Sequence, residues 1–128
     1  MNIAVDFSNT SKHYPTKKAI ILPVRKGSDY TYKHISFEDL DKLSNRYANG
    51  LVKSGIVKGT KVLLFVRPSL RFHAIVIAVM KVGAIAVFID PSMGRSNLLN
   101  ALEEANPEGL IAEPRALLLK VFFRNNHR

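Results

Sequence analysis

A few side chains in this sequence carry groups able to hold an anion or move a proton. Gly94, Arg95 and Ser96 follow the dipeptide Asp90-Pro91 in a loop, residues 90–97, where a strand gives way to a helix. Free backbone N–H groups and the helix dipole favour an anion at such a helix start. A capped helix start with one exposed arginine accounts for the same residues. Arg67 and Arg71 sit at another strand-to-helix turn and together would bind a carboxylate or phosphate. Surface ion pairing serves them equally well. His13, His34, His73 and His127 share no ligand spacing. His73 falls on an apolar helix and reads as a hydrogen-bonded core histidine rather than a catalyst. Glu103 and Glu104 are adjacent, so they point in different directions and read as a solvated face rather than an acid–base pair. A phosphate cradle needs glycines between strand and helix, where N–H groups must approach closely. After Val66 the chain reads Arg-Pro-Ser-Leu-Arg, and neither G-x-G-x-x-G nor G-x-x-x-x-G-K-[ST] occurs. The residues therefore assign no catalytic, cofactor-binding or metal-ligating position.

Composition narrows the class. With 128 residues, 47% apolar and 23% charged, the chain has the size and core material of one folded domain. The absence of cysteine excludes disulfides, thiolate chemistry and cysteine-ligated metal sites, and fits a reducing compartment. Residues 1–15 lack the apolar core of a signal peptide. The longest apolar stretch, residues 74–89, is interrupted by Lys81 and Gly83 and falls short of the roughly 20 residues a spanning helix needs. A cytoplasmic chain with no membrane span is expected. The net charge of +9 is scattered over Lys17-Lys18, Arg25-Lys26, Lys58, Lys61, Arg67, Arg71, Arg115 and Arg124. Without a run or an aromatic–basic alternation, it predicts no specific nucleic-acid partner.

The elements that would position these residues can be read in order. Residues 2–14 suit a helix with Ile3, Ala4 and Phe7 on one side, ended by Pro15. Residues 19–22 read as a strand stopped by Pro23, and residues 30–35 as a second strand, the two pairing as a hairpin. Ser36 is an N-cap, Asp39 approximates a capping box, and Ile35 with Leu40 forms a hydrophobic staple. Leu40, Leu43, Tyr47, Ala48 and Leu51 make one helical face. Gly55 suits the left-handed residue after that helix, with Ile56 as its apolar contact. Residues 61–66 form a continuous apolar run, as in a strand covered on both faces. Ser69 caps a helix that is apolar nearly all round and ends at Gly83. A strand over residues 84–89 follows, then a helix over 92–105 and a short strand over 109–112. Pro114 opens a last helix containing Ala116, Leu117, Leu118, Leu119, Val121, Phe122 and Phe123. Apolar strands alternating with helices imply a parallel sheet with right-handed crossovers.

Three segments resemble the beginning of the adenylate-forming synthetases, the AMP-dependent acyl-CoA synthetases and ligases. They are ISFEDLDKLSNRYANGLVKSGIVKGTKVLLFV, RPSLRFHAIVIAVMKVGAIAVFIDPSMG and NLLNALEEANPEGLIAEPRA. The wording VRPSLRF, IDPSMG and EPRA is most similar to a fatty-acyl ligase branch that includes the olefin β-lactone synthetases. The resemblance implies an α/β fold: a partial parallel-sheet N-terminal subdomain of an adenylate-forming enzyme, with an N-terminal β-hairpin. It implies that residues 1–128 are an incomplete AMP-binding domain. Residues 1–35 would form the helix and hairpin, and residues 36–124 the alternating units. The family joins a carboxylate to ATP, with magnesium, and passes the adenylate to an acceptor. Its phosphate loop, its aromatic–threonine–glutamate segment, its ribose-binding aspartate and its C-terminal lysine match no position here.

The chain is thus expected to be a scaffold piece, inactive alone, from a truncated, split or partly recorded gene. Its partner would be the remainder of the enzyme. The apolar strands 62–66 and 84–89 normally have neighbours on both sides, and an edge left open here would favour self-association and weakly cooperative unfolding. The alternative is a free-standing α/β module for an anionic ligand or a protein partner.

Overall fold

The computed structural model describes residues 3–66, 69–89, 92, 94–112 and 120–123. In chain order they form α1 (Ile3–His13), β1 (Lys18–Lys26), β2 (Asp29–Ser36), α2 (Phe37–Lys53) and β3 (Lys61–Phe65). There follow α3 (Leu70–Val82), β4 (Ile85–Phe88), α4 (Arg95–Ala105), β5 (Gly109–Ala112) and β6 (Lys120–Phe123).

Local chemistry sets the limits of the two best-packed helices. The Ser36 hydroxyl accepts the Asp39 N–H at 3.1 Å, and the Ser69 hydroxyl accepts the Phe72 N–H at 3.0 Å. Each cap satisfies one of the donors a helix start leaves orphaned. At the far end of α2, Gly55 (φ 97°) donates to the Val52 carbonyl and Ile56 to the Leu51 carbonyl, both at 3.0 Å. Gly83 (φ 82°) and Ala84 close α3 in the same way on Met80 and Val79. Both are Schellman endings, and in the first the contact residue Ile56 is fully buried.

β3 is central. It pairs in parallel with β4 on one side and β5 on the other, and β6 adds an antiparallel strand beyond β5. The crossover through α3 runs outward from β3 to β4 and the one through α4 runs back past β3 to β5, so right-handedness puts the two helices on opposite faces. Leu51 and Ile56 join Val62, Leu64 and Val66, and with Ile75, Ala78, Val79 and Ile111 they make the main core. Leu63, on the other face of β3, is equally inaccessible. The β1–β2 hairpin is a separate two-stranded sheet. Its base is tied down by hydrogen bonds from the Phe37 N–H to the Lys17 carbonyl and from the Glu38 N–H to the Pro15 carbonyl.

The structure corrects three expectations. β1 runs through Pro23 to Lys26, with Pro23 opposite Tyr32. A two-stranded ribbon has only edge strands, where a missing donor costs little. The expected last helix over residues 114–123 is a strand where it is described: Val121 pairs with Ile111 and Phe122 with Leu110. A β-branched and aromatic run gains a ladder partner there, and periodicity alone cannot separate that from a buried helix. Residues 113–119 lie outside the described residues. The open edge expected among the apolar strands 62–66 and 84–89 falls on β4, whereas β3 has a neighbour on each side. Finally, Ile3 is 61% exposed, and α1 instead turns Ala4, Phe7 and Ser11 inward. The Ser11 hydroxyl donates to the Phe37 carbonyl at 3.0 Å.

Candidate functional site

The chain leaves β3 and β4 toward opposite faces, and it is outside the carboxyl ends of such strands that open α/β sheets meet ligands. Val66 and Ile89, at those two strand ends, are both nearly buried. Arg67, Pro68, Asp90, Pro91 and Met93 lie outside the described residues, and with them one member of the Arg67–Arg71 pair and three of the eight residues of the 90–97 loop. Gly94 is the N-cap residue of α4, with φ 88° and no side-chain cap, and Arg95 and Ser96 are exposed. The helix therefore starts at Arg95 rather than at residue 92.

The other residues singled out by chemistry stay apart. His13 and His34 are exposed on α1 and the hairpin. His73 is half-buried, its Nδ1 is 2.7 Å from the Ser69 carbonyl, and its ring meets Phe72 edge-on at 5.6 Å. A carbonyl only accepts, so Nδ1 carries the proton in that bond. His127 lies outside the described residues. Glu103 and Glu104 are exposed on α4. Among the described residues no group of three or more His, Cys, Asp or Glu is arranged to hold a metal, and no helix is long and apolar enough to cross a membrane.

Tertiary structure brings together two clusters that motif reading did not assemble. In the first, the Lys81 ammonium on α3 donates to Asp41 Oδ1 (2.7 Å), Asn45 Oδ1 (2.7 Å), Ser44 Oγ (2.8 Å) and the Asp41 carbonyl (3.2 Å) on α2. From α1, the Ser8 hydroxyl donates to the same Asp41 Oδ1 at 3.2 Å, and the Phe7 ring lies 5.5 Å from the ammonium. The Lys81 side chain is only 11% exposed, so its charge is held almost out of water and satisfied by oxygens. Such a group clamps three helices together and has no donor left for a substrate. Its sequence signal was present: Asp41, Ser44 and Asn45 recur at i, i+3, i+4, and Lys81 is a lone charge in the last turns of α3.

The second cluster is an apolar groove of about 340 Å³. Phe7 and Phe37 come from α1 and α2, Phe72, His73 and Val76 from α3, and Phe88 from β4. Phe88 meets Phe72 at 6.0 Å and Phe7 meets Phe37 at 6.1 Å. His73 is the one titratable lining group. The groove can take an apolar side chain or a short hydrocarbon, and it contains nothing that would activate a carboxylate. No periodic signal marks it, since its phenylalanines come from four distant elements.

Comparison with known proteins places this geometry. The sequence model of the AMP-binding enzyme family matches residues 7–125. The olefin beta-lactone synthetase of Stenotrophomonas maltophilia is 33% identical over 130 residues, which takes in 96% of this chain and 23% of that protein. The olefin beta-lactone synthetase of Xanthomonas campestris is 32% identical over 126 residues, with the same shares covered. The N-terminal subdomain of NpsA from Klebsiella oxytoca superposes with a TM-score of 0.77 at 21% identity, over 89% of this chain and 28% of that one. An inhibitor-bound N-terminal domain from Mycobacterium tuberculosis does so with a TM-score of 0.72 at 24% identity, over 85% and 26%. This chain thus spans about a quarter of the proteins it is similar to. It belongs to the AMP-binding family of adenylate-forming enzymes and corresponds to an N-terminal fragment of such an enzyme.

Proposed function

We propose that the chain is the N-terminal scaffold piece of an ATP-dependent synthetase or ligase that activates a fatty or related carboxylic acid as its adenylate. The observation that carries this reading is the family match over residues 7–125, together with the 23% share of the olefin beta-lactone synthetases that the chain spans. The reaction requires cationic and N–H donors preorganised around a triphosphate and its magnesium. The described residues do not fit that group. Lys81 is already saturated by oxygens, and no metal-holding carboxylate set is present among them. No step of the reaction is therefore assigned to these residues, and the chain is inactive alone. Its compartment in this reading is the cytoplasm, in keeping with a sequence free of cysteine.

The test is ATP-dependent pyrophosphate release by the purified chain with magnesium and a panel of fatty and hydroxy-fatty acids. No release above the enzyme-free background is expected. Sustained turnover would overturn the reading. Saturable binding of pyrophosphate to a stable monomer would instead favour a free-standing module for an anionic ligand.

A further inference from the structure

β4 is one of the two edge strands of the main sheet. The N–H groups of Ile85 and Ile89 are directed at the Thr60 and Leu64 carbonyls of the β3 side. By the alternation of a parallel ladder, Ala86 and Phe88 turn their N–H and C=O groups outward, where no strand lies among the described residues. Proteins usually blunt such an edge with charge, proline or a bulge. The hairpin follows that rule: β1 carries Lys18, Pro23, Arg25 and Lys26, and β2 carries Lys33. β4 reads Ile-Ala-Val-Phe, with none of these devices. Its end residues Ile85 and Phe88 are 48% and 56% exposed, and Phe88 also forms one wall of the 340 Å³ apolar groove. Edge and groove are thus one continuous surface, offering backbone pairing beside a pocket for apolar side chains.

We propose that this surface docks the remaining part of an adenylate-forming polypeptide, which adds an extended segment to β4 and sets apolar side chains against Phe88 and into the groove. The inference rests on the scaffold reading above and names the surface that reading needs. The chain spans only 23% of its curated relatives, so a remainder about three times its length has to find a seat. Strand addition joins main-chain hydrogen bonds for affinity to side-chain pockets for specificity. A second copy of this chain is disfavoured as the occupant because each copy carries a net charge of +9, and like charge opposes association.

The experiment co-expresses the full 128-residue chain, carrying an affinity tag, with the remainder of the Stenotrophomonas maltophilia olefin beta-lactone synthetase beyond the stretch that aligns with it. Expected are co-purification at one-to-one stoichiometry and slowed hydrogen exchange at Ala86 and Phe88 in the complex. Phe88→Asp and Ile85→Lys should each weaken recovery at least tenfold, while Tyr32→Asp on the hairpin should leave it unchanged. Circular dichroism of each variant separates lost docking from lost folding, and the exchange pattern of the wild-type complex reads the surface without any variant. A complex that tolerates both β4 substitutions, or gains protection elsewhere, overturns the surface and leaves the scaffold reading standing. Failure of the wild-type chain to retain the remainder overturns both. Protection of Ala86 and Phe88 in a homodimer of the free chain assigns the edge to a second copy and overturns the proposal.

Discussion

β3 and β4 look alike as sequence. Lys61-Val62-Leu63-Leu64-Phe65 and Ile85-Ala86-Val87-Phe88 are short apolar runs, each followed by a turn and a helix. In the fold, Val62, Leu63 and Leu64 are at most 1% exposed, whereas Ile85 and Phe88 are about half exposed. The difference is one of position: β3 has a strand on each side, and β4 has a strand on one side only. Apolar composition states what a strand is able to bury. Its place in the sheet order decides what it does bury, and leaves the surplus available to a partner.

The sharpest way to break this comparison is to truncate both strands. Leu64→Ala should lower the stability of the chain by roughly 2–5 kcal/mol in denaturant titrations, the range for a large aliphatic side chain lost from a packed core. Phe88→Ala should cost about 1 kcal/mol, since only about half of the side chain is removed from water. Equal losses would mean that β4 is buried in solution.

The next effect tests the clamp behind β3. Lys81→Met strands the Asp41 carboxylate among packed helices and should cost roughly 1.5–3 kcal/mol, the scale of a hydrogen bond to a charged group. Combining it with Asp41→Asn should recover part of that loss, because the two residues share one interaction. Strict additivity of the two substitutions would remove the clamp from the argument.

A smaller effect comes from paired glycines. Gly83 holds a left-handed conformation, and a Cβ there would lie 3.1 Å from the Lys58 side chain, so Gly83→Ala should cost roughly 1–2 kcal/mol. Gly50 lies inside α2 with open space around its Cα, and Gly50→Ala should stabilise by roughly 0.5–1 kcal/mol. Opposite signs in the melting midpoint are the expected result.

The smallest effect is on the surface. A hydrogen bond from Lys42 to Glu38 at 3.0 Å raises the lysine's pKa above its ordinary value, helped by the attraction of that carboxylate. A raised pKa means the contribution is complete below the unfolded value and is lost as pH climbs through the folded one, in the alkaline range. The pair lies on the surface with both side chains about half exposed or more, so Lys42→Met should leave the melting midpoint at neutral pH unchanged within error.

What was legible in the sequence was local. Ser36, Ser69, Gly55 and Gly83 act on backbone groups within a few residues of themselves, so their types and spacing announce both ends of α2 and the capped start and end of α3. The alternation of apolar strands with helices, and the resemblance carried by three long segments, likewise led to an α/β member of the AMP-binding family. Tertiary structure alone decided the rest. It turned residues 120–123 into a strand by offering them β5, put β3 inside and β4 at the edge, and brought Lys81 to Asp41 across 40 residues of chain. It also gathered Phe7, Phe37, Phe72 and Phe88 around one groove. The physical reason is the range of the interactions: a cap or a left-handed glycine is settled by its neighbours in sequence, whereas edge, clamp and groove exist only once distant segments have met.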